Sequence, residues 1–159
     1  MSELREWIQE IKTQGKKVVF TNGVFDILHL GHVTYLEEAA ELGDFLVVGI
    51  NDDASVRKLN KGPERPINGE EARAGVVSAL RSVDAVVVFG EDTPLELIQM
   101  IEPDIVVKGG DYDASERDPR QKSYIVGSNE TLERGGDVVA IPLVEGYSTT
   151  GIVKKMKTK

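Results

Sequence analysis

A chain of 159 residues, 40% of them hydrophobic, suits one domain built around one substantial core, and residues 1–159 are expected to form a single unit. Its formal charge of −8 argues against non-specific binding to nucleic acid or to an anionic membrane, although cations that converge locally can still hold an anionic ligand. The lack of any cysteine excludes a disulfide framework, a thiolate metal site and a cysteine nucleophile.

The charged opening, with Glu3, Arg5, Glu6, Glu10 and Lys12, has no apolar stretch of the signal-peptide kind, and no apolar run reaches membrane-spanning length. A cytoplasmic protein without a membrane or nucleic-acid partner is the expectation. Leu4, Trp7, Ile8 and Ile11 share one helical face, and Gly15 closes that helix. Val18 to Phe20 reads as a buried strand, followed by a glycine-containing turn and a helix from Val33 to Leu42. Phe45 to Ile50 reads as a second strand, and residues 60–69, with two glycines and two prolines, as loop. A helix over Glu70–Arg81 and a strand over Ala85–Phe89 come next. Pro94 suits a helix start and leads into Leu95, Leu97, Ile98 and Ile101. Ile105–Val107 is the fourth strand, Asp111–Lys122 is charged and irregular, Ser128–Arg134 is helical, Val138–Pro142 is the fifth strand, and Thr149–Met156 is a last helix.

The strands are continuously apolar rather than alternating, as expected of strands buried on both faces, and they alternate with helices. The pattern predicts an α/β fold: a doubly wound parallel five-stranded sheet flanked by helices, Rossmann-like in layout. Ligands in such sheets bind beyond the carboxyl ends of the strands, so the loops after Phe20, Ile50 and Val107 are the first places to look.

The chain has two histidines, His29 and His32, three residues apart at the mouth of the second predicted helix. A helix N-terminus presents unpaired N–H groups that suit phosphate, Gly23 and Gly31 permit close backbone approach, and two imidazoles can donate to a phosphate whose charge is rearranging. A zinc site would want further His, Cys or carboxylate ligands, and Asp26 is the one nearby candidate, so no resident metal is predicted. Ser148, Thr149 and Thr150 open the last helix, where hydroxyls ordinarily act as caps. Lys108-Gly109-Gly110-Asp111-Tyr112 follows the fourth strand and offers a cation beside a flexible turn, or a simple turn and nothing more. Earlier in the chain Lys61, in the 60–69 loop, and Arg73, on the helix after it, add cations, where solvated surface charge is the plain alternative.

The segment Thr21-Asn22-Gly23-Val24-Phe25-Asp26-Ile27-Leu28-His29-Leu30-Gly31-His32 resembles the HxGH motif of the cytidylyltransferase-like nucleotidyltransferases. Together with VGINDDASVRKLNKG, ERPI, VKGGDY and VEGYSTT, in that order, it resembles the adenylyltransferases of bacterial ADP-heptose synthesis over nearly the whole chain. The resemblance implies transfer of AMP from ATP to D-glycero-β-D-manno-heptose 1-phosphate for lipopolysaccharide inner-core synthesis, with pyrophosphate released. It also implies the separate form of the enzyme, without the sugar kinase to which relatives are fused. ATP and a sugar 1-phosphate are then the substrates, with Mg²⁺ bound with ATP, and a homodimer is the family-level expectation.

On this reading His29, His32 and Lys61 are the catalytic candidates. Asn22, Gly23, Val24, Phe25, His29, Gly31, His32, Arg73, Lys108, Gly110, Ser148, Thr149 and Thr150 are candidates for ATP, with Lys154 or Lys155 near the hydroxyl cluster. Asp52, Asp53, Asp111 and Tyr112 are candidates for the sugar, Lys61 for its phosphate, and Asp26 either for the sugar or for positioning the motif loop. Residues 113–122, poor in apolar anchors, are expected to form a lid. A cytidylyltransferase acting on glycerol 3-phosphate, a flavin or pantetheine adenylyltransferase, and a non-catalytic nucleotide sensor are the alternatives. A dinucleotide-dependent oxidoreductase is disfavoured, because no G-x-G-x-x-G follows the first strand.

Overall fold

The computed structural model describes residues 2–59 and 62–157. Five strands, β1 (Val18–Gly23), β2 (Phe45–Asn51), β3 (Ala85–Phe89), β4 (Ile105–Gly109) and β5 (Asp137–Ile141), form one sheet in the order β3-β2-β1-β4-β5. Every neighbouring pair is parallel. The helices are α1 (Ser2–Thr13), α2 (Leu30–Ala40), α3 (Asp53–Lys58), α4 (Glu70–Ser78), α5 (Leu95–Ile101), α6 (Ser128–Glu133) and α7 (Thr149–Lys157). The predicted doubly wound α/β architecture is the one observed.

Strand alternation splits the core into two layers. Val19, Leu46, Val48, Ile50, Ile105 and Val107 point to one face, under Tyr35, Leu36 and Ala39 of α2 and Val77 of α4. Val18, Phe20, Val47 and Val106 point to the other, under Ile8 and Ile11 of α1 and Leu97, Ile98 and Ile101 of α5. A carboxylate just before a strand fixes register at the amino end of the sheet. Asp44 accepts from Lys17 N, Asp104 from Val18 N and Asp84 from Leu46 N, each at 2.8 Å. The sequence reversal falls between β1 and β4, which places a crevice at their carboxyl ends. No helix among the described residues is long and apolar enough to cross a membrane.

Several boundaries differ from the sequence reading, and the differences matter for the site. β1 runs on through the polar Thr21-Asn22-Gly23 because each residue pairs with β2, ending with Gly23 opposite Ile50. α2 begins at Leu30 rather than Val33, so His29 is its N-cap and His32 lies in its first turn, with His32 N donating to His29 O at 2.9 Å. α3 is absent from the sequence reading. It is only six residues long and is secured by Asp52, whose side chain accepts from Ser55 N at 2.6 Å.

Candidate active site

The carboxyl ends of β1 and β4, the start of α2 and the start of α7 enclose a cleft of about 490 Å³. Asn22, Gly23, Val24, Phe25, His29, Gly31 and His32 line it from the β1–α2 loop, Lys108, Gly109 and Tyr112 from β4 and beyond, and Ser148, Thr149 and Thr150 from α7. Three segments remote in sequence therefore meet in one cavity.

The histidine pair is built by its neighbours. The two rings stack at 3.8 Å between centroids with 22° between their planes. Phe25 is buried and packs against His32 at 5.3 Å. To reach that position its backbone adopts φ +50, a conformation that costs a non-glycine residue on the order of 1 kcal/mol and that packing must hold in place. Gly31 is required for a different reason. A Cβ there would lie 3.0 Å from His29 Nδ1 and 3.2 Å from the Tyr147 Cβ, so even an alanine would press on the imidazole and force it or Tyr147 to shift. His29 Nδ1 is buried and meets no hydrogen-bond partner among the described residues. Burial pushes the His29 pKa below 6.5, which favours the neutral ring at neutral pH.

On the opposite wall Lys108 Nζ donates to the Asn22 carbonyl and to Asn22 Oδ1, both at 3.0 Å, and lies 5.5 Å from the centre of the Tyr112 ring. The ammonium thus ties β4 to the end of β1 while facing the cleft. Beneath it the Thr21 and Tyr35 hydroxyls are 2.5 Å apart, and Tyr35 donates to Val107 O at 3.3 Å. Burial raises the Tyr35 pKa to about 12, so this phenol is a structural tie and not an acid. At α7, Ser148 Oγ accepts from Gly151 N at 3.0 Å, the geometry of a helix cap, and Thr149 Oγ1 donates to Ile27 O at 3.3 Å. Lys155, rather than Lys154, lines a smaller hollow beside His29, Tyr147 and Ser148.

Other candidates lie elsewhere, for identifiable reasons. Arg73 is 1% exposed, and its guanidinium donates to Asn68 O, Val24 O and Asp53 Oδ1. It braces the motif loop from inside the protein and does not line the cleft. Asp53 is its ion-pair partner, and Asp52 is the α3 cap, so neither carboxylate is presented to a sugar in the cleft. Asp26, by contrast, does border the cleft, but its carboxylate is buried and accepts from Arg65 Nε, Ile67 N and Asn68 N, an arrangement that favours positioning of the motif loop. Gly110 and Asp111 do not line the cleft, and Gly110 N instead donates to Ile141 O. Lys61 lies outside the described residues.

Sequence reasoning missed Tyr35, Arg65, Leu143, Val144 and Tyr147 as parts of the cleft wall. Arg65 and Tyr147 sit within motifs already noted, but only the fold shows that their side chains turn inward. Among the described residues no group of three or more His, Asp or Glu side chains converges on a metal position.

A parallel α/β sheet with its ligand cleft at the switch point, closed by a helix mouth and a hydroxyl-bearing helix start, defines a nucleotide-binding class of protein. A family model described as cytidylyltransferase-like matches residues 20–155, and the chain belongs to this nucleotidyltransferase family. Among curated proteins it is 50% identical over 96% of its length to the bifunctional protein HldE of Syntrophotalea carbinolica, and covers 29% of that protein. It is 52% identical over 92% of its length to the bifunctional protein HldE of Geotalea uraniireducens, covering 28% of it. The chain thus spans under a third of the length of these relatives. Among solved structures, a lipopolysaccharide core biosynthesis protein from Thermoplasma volcanium GSS1 superposes with a TM-score of 0.63 at 31% identity, covering 84% of this chain and 100% of that one.

Proposed function

We propose that the cleft is the active site of an adenylyltransferase that moves AMP from MgATP to a sugar 1-phosphate, D-glycero-β-D-manno-heptose 1-phosphate, giving ADP-heptose and pyrophosphate. The observation that carries the reading is the convergence of the stacked His29–His32 pair with Ser148, Thr149 and Thr150 in one cleft. The identity of about 50% to HldE proteins supports the choice of acceptor.

The acceptor phosphate is already a competent nucleophile, so catalysis reduces to alignment and charge stabilisation. An acceptor oxygen attacks the α-phosphorus in line, the bond to the β-phosphate oxygen breaks, and pyrophosphate leaves with the electron pair. His29 and His32 donate hydrogen bonds to the α-phosphate as its charge rearranges, helped by the backbone around Val24 and Phe25. Ser148, Thr149 and Thr150 hold the outer phosphates. Lys108 keeps Asn22 and the β1 end in place while adding positive charge to the wall, and Tyr112 borders the acceptor. Lys61 is a further candidate for the acceptor phosphate. Mg²⁺ would enter with the nucleotide as part of the substrate and would offset the charge of the departing pyrophosphate.

Pyrophosphate release measured over a grid of nucleoside triphosphates and phosphorylated acceptors tests this. ATP with heptose 1-phosphate is expected to give the highest kcat/KM. A best pair of CTP with glycerol 3-phosphate would overturn the acceptor and the base while keeping nucleotidyl transfer. Nucleotide binding with no release from any pair would favour a sensor.

A further inference from the structure

We infer that Arg65 is a catalytic residue of this cleft, its guanidinium held by Asp26 so that its free end donates to phosphoryl oxygens of a bound substrate. The inference rests on the nucleotidyl-transfer reading for its role in turnover, but the anion site itself stands on separate observations. The Arg65 side chain is 6% exposed and lines the cleft that contains His29 and His32. Among the described residues, its one side-chain hydrogen bond runs from Nε to Asp26 Oδ2, at 2.5 Å. Arginine carries further donors on its two terminal nitrogens. Those nitrogens are not sealed from solvent, so they are open to the cleft, and a planar fork fixed at Nε suits two oxygens of one phosphate.

Asp26 is fixed before Arg65 meets it. Its carboxylate accepts from Ile67 N at 2.9 Å and Asn68 N at 2.8 Å, its own carbonyl accepts from Asn68 Nδ2 at 2.6 Å, and its side chain is wholly buried. The residue three positions before His29 therefore aims a cation from a distant loop at the space the histidines face. Asp26 is a positioning residue in this arrangement. Phosphate on either substrate satisfies the chemistry, the α- or β-phosphate of the nucleotide or the phosphate of the acceptor.

R65M and R65K test the inference, each checked for fold by its thermal melt. Turnover in both is expected to fall by about 10²-fold, as for loss of one preorganised donor to a developing charge. Lysine is expected to rescue little, because a point charge does not reproduce the fork. Titration calorimetry with MgATP and with the sugar 1-phosphate then assigns the source: weakened MgATP binding places the fork on the nucleotide, weakened acceptor binding on the acceptor. D26N is expected to cost activity in the parent and nothing further in R65M, whereas a merely structural Asp26 gives additive losses. If the unchanged protein turns over no substrate pair, the nucleotidyl-transfer reading fails on its own. Arg65 is then judged by the affinity for inorganic tripolyphosphate, which R65M should weaken. Folded R65M and R65K with parental turnover and affinities would overturn the inference, as would unaltered tripolyphosphate affinity in that last case. If R65M does not fold, R65K carries the same comparison.

Discussion

The loop that leaves β1 and the loop that leaves β4 start from adjacent strands at the same end of the sheet and border the same cleft, yet they are held by opposite means. Val24, Phe25 and Asp26 in the first are buried, and the loop is bonded from outside itself by Arg73, Ile67 and Asn68. In the second, Asp113 accepts from Ser115, Arg117 donates to Ala114 O, and Asp118 pairs with Arg120. These are bonds between near neighbours, on a surface that is mostly exposed. A loop anchored to distant elements keeps its shape when the ligand leaves. A loop bonded mainly to itself can move as a unit at little cost. The contrast predicts a preorganised half of the site and a deformable one.

The most disruptive break is expected at Asp26. Asp26→Ala leaves Arg65 without its carboxylate and the Ile67 and Asn68 N–H groups without an acceptor. Losing one partner of such a buried pair typically costs about 3–5 kcal/mol. Chemical denaturation should report a loss of this size, and a change under 1 kcal/mol would mean that the loop is held by something else. The pH dependence carries a further signature. Burial by itself would raise the Asp26 pKa, but the N–H groups of Asn68 and Ile67 together with Arg65 outweigh it and hold the carboxyl below its usual 3.8. The stabilisation is therefore complete above the unfolded-state value and is lost as pH falls through the lower folded-state value. Between those limits the unchanged protein should lose stability faster than Asp26→Ala does.

A second break affects chemistry and not fold. His32→Ala is expected to lower kcat by about 10²–10³-fold, with a smaller effect on the KM for ATP, because the ring acts on charge that develops in the transition state. Steady-state kinetics on the folded variant decide it. A loss confined to KM would make His32 a ground-state binder.

How much of this contrast was legible in the sequence depends on whether a residue acts through local pattern or through distance. Parallel strands, buried on both faces, announce themselves as short apolar runs, and His29 and His32 are conspicuous as the only histidines, at a helix mouth. The start of α2 was misplaced by three residues because Leu30 and Gly31 look like loop until the cap geometry is seen. Arg73 and Arg65 are the instructive pair. Both are cations near a phosphate-like motif, and sequence reasoning chose Arg73 for the ligand. The structure buries Arg73 against Val24 O and Asp53 and turns Arg65 into the cleft wall. Nothing in a one-dimensional pattern distinguishes a brace from a ligand when both depend on a contact more than thirty positions away. The structural roles of Asp52 and Asp53 are illegible for the complementary reason: a six-residue helix has too little periodicity to reveal that they open it.

Thr149→Ala sharpens the boundary between the two halves, with a smaller expected effect. Its hydroxyl joins α7 to the motif loop through Ile27 O. If that bond were its whole role, removal would cost roughly 1 kcal/mol of stability and leave nucleotide affinity unchanged. The expectation is a severalfold weaker Kd for MgATP with a melting temperature lowered by only a few degrees. Both are measurable on one sample, and a changed melt with unchanged affinity would return Thr149 to the tie alone.

The smallest expected effect tests the deformable half directly. Amide hydrogen exchange over residues 113–122 should slow when MgATP and the acceptor are bound together, while exchange over residues 21–28 should change little apart from the amides near Val24 and Phe25 that meet phosphate. The physical reason lies in where the bonds go. Apart from Asp113 N to Ser123 O at 2.9 Å and Asn129 Nδ2 to Arg117 O at 3.2 Å, the segment's hydrogen bonds close over a few positions, and an internal arrangement of this kind survives a hinge at either end. Gly110, at φ +101, supplies such a hinge next to Tyr112, which already borders the cleft. The segment also carries Arg117, Arg120 and Lys122, but Arg120 already pairs with Asp118 and Asp113 and Glu116 offset the rest, so a polyphosphate would act on the placement of Arg117 and Lys122 and not on net charge. Closure by this route should be salt-sensitive, with protection falling as ionic strength rises from about 0.01 to 0.15 M, over which the screening length drops from about 30 to 8 Å. Equal exchange in the free and doubly bound states would leave 113–122 an ordinary surface loop. Protection that ignores salt would place the closing force in apolar contacts around Tyr112 rather than in the charges.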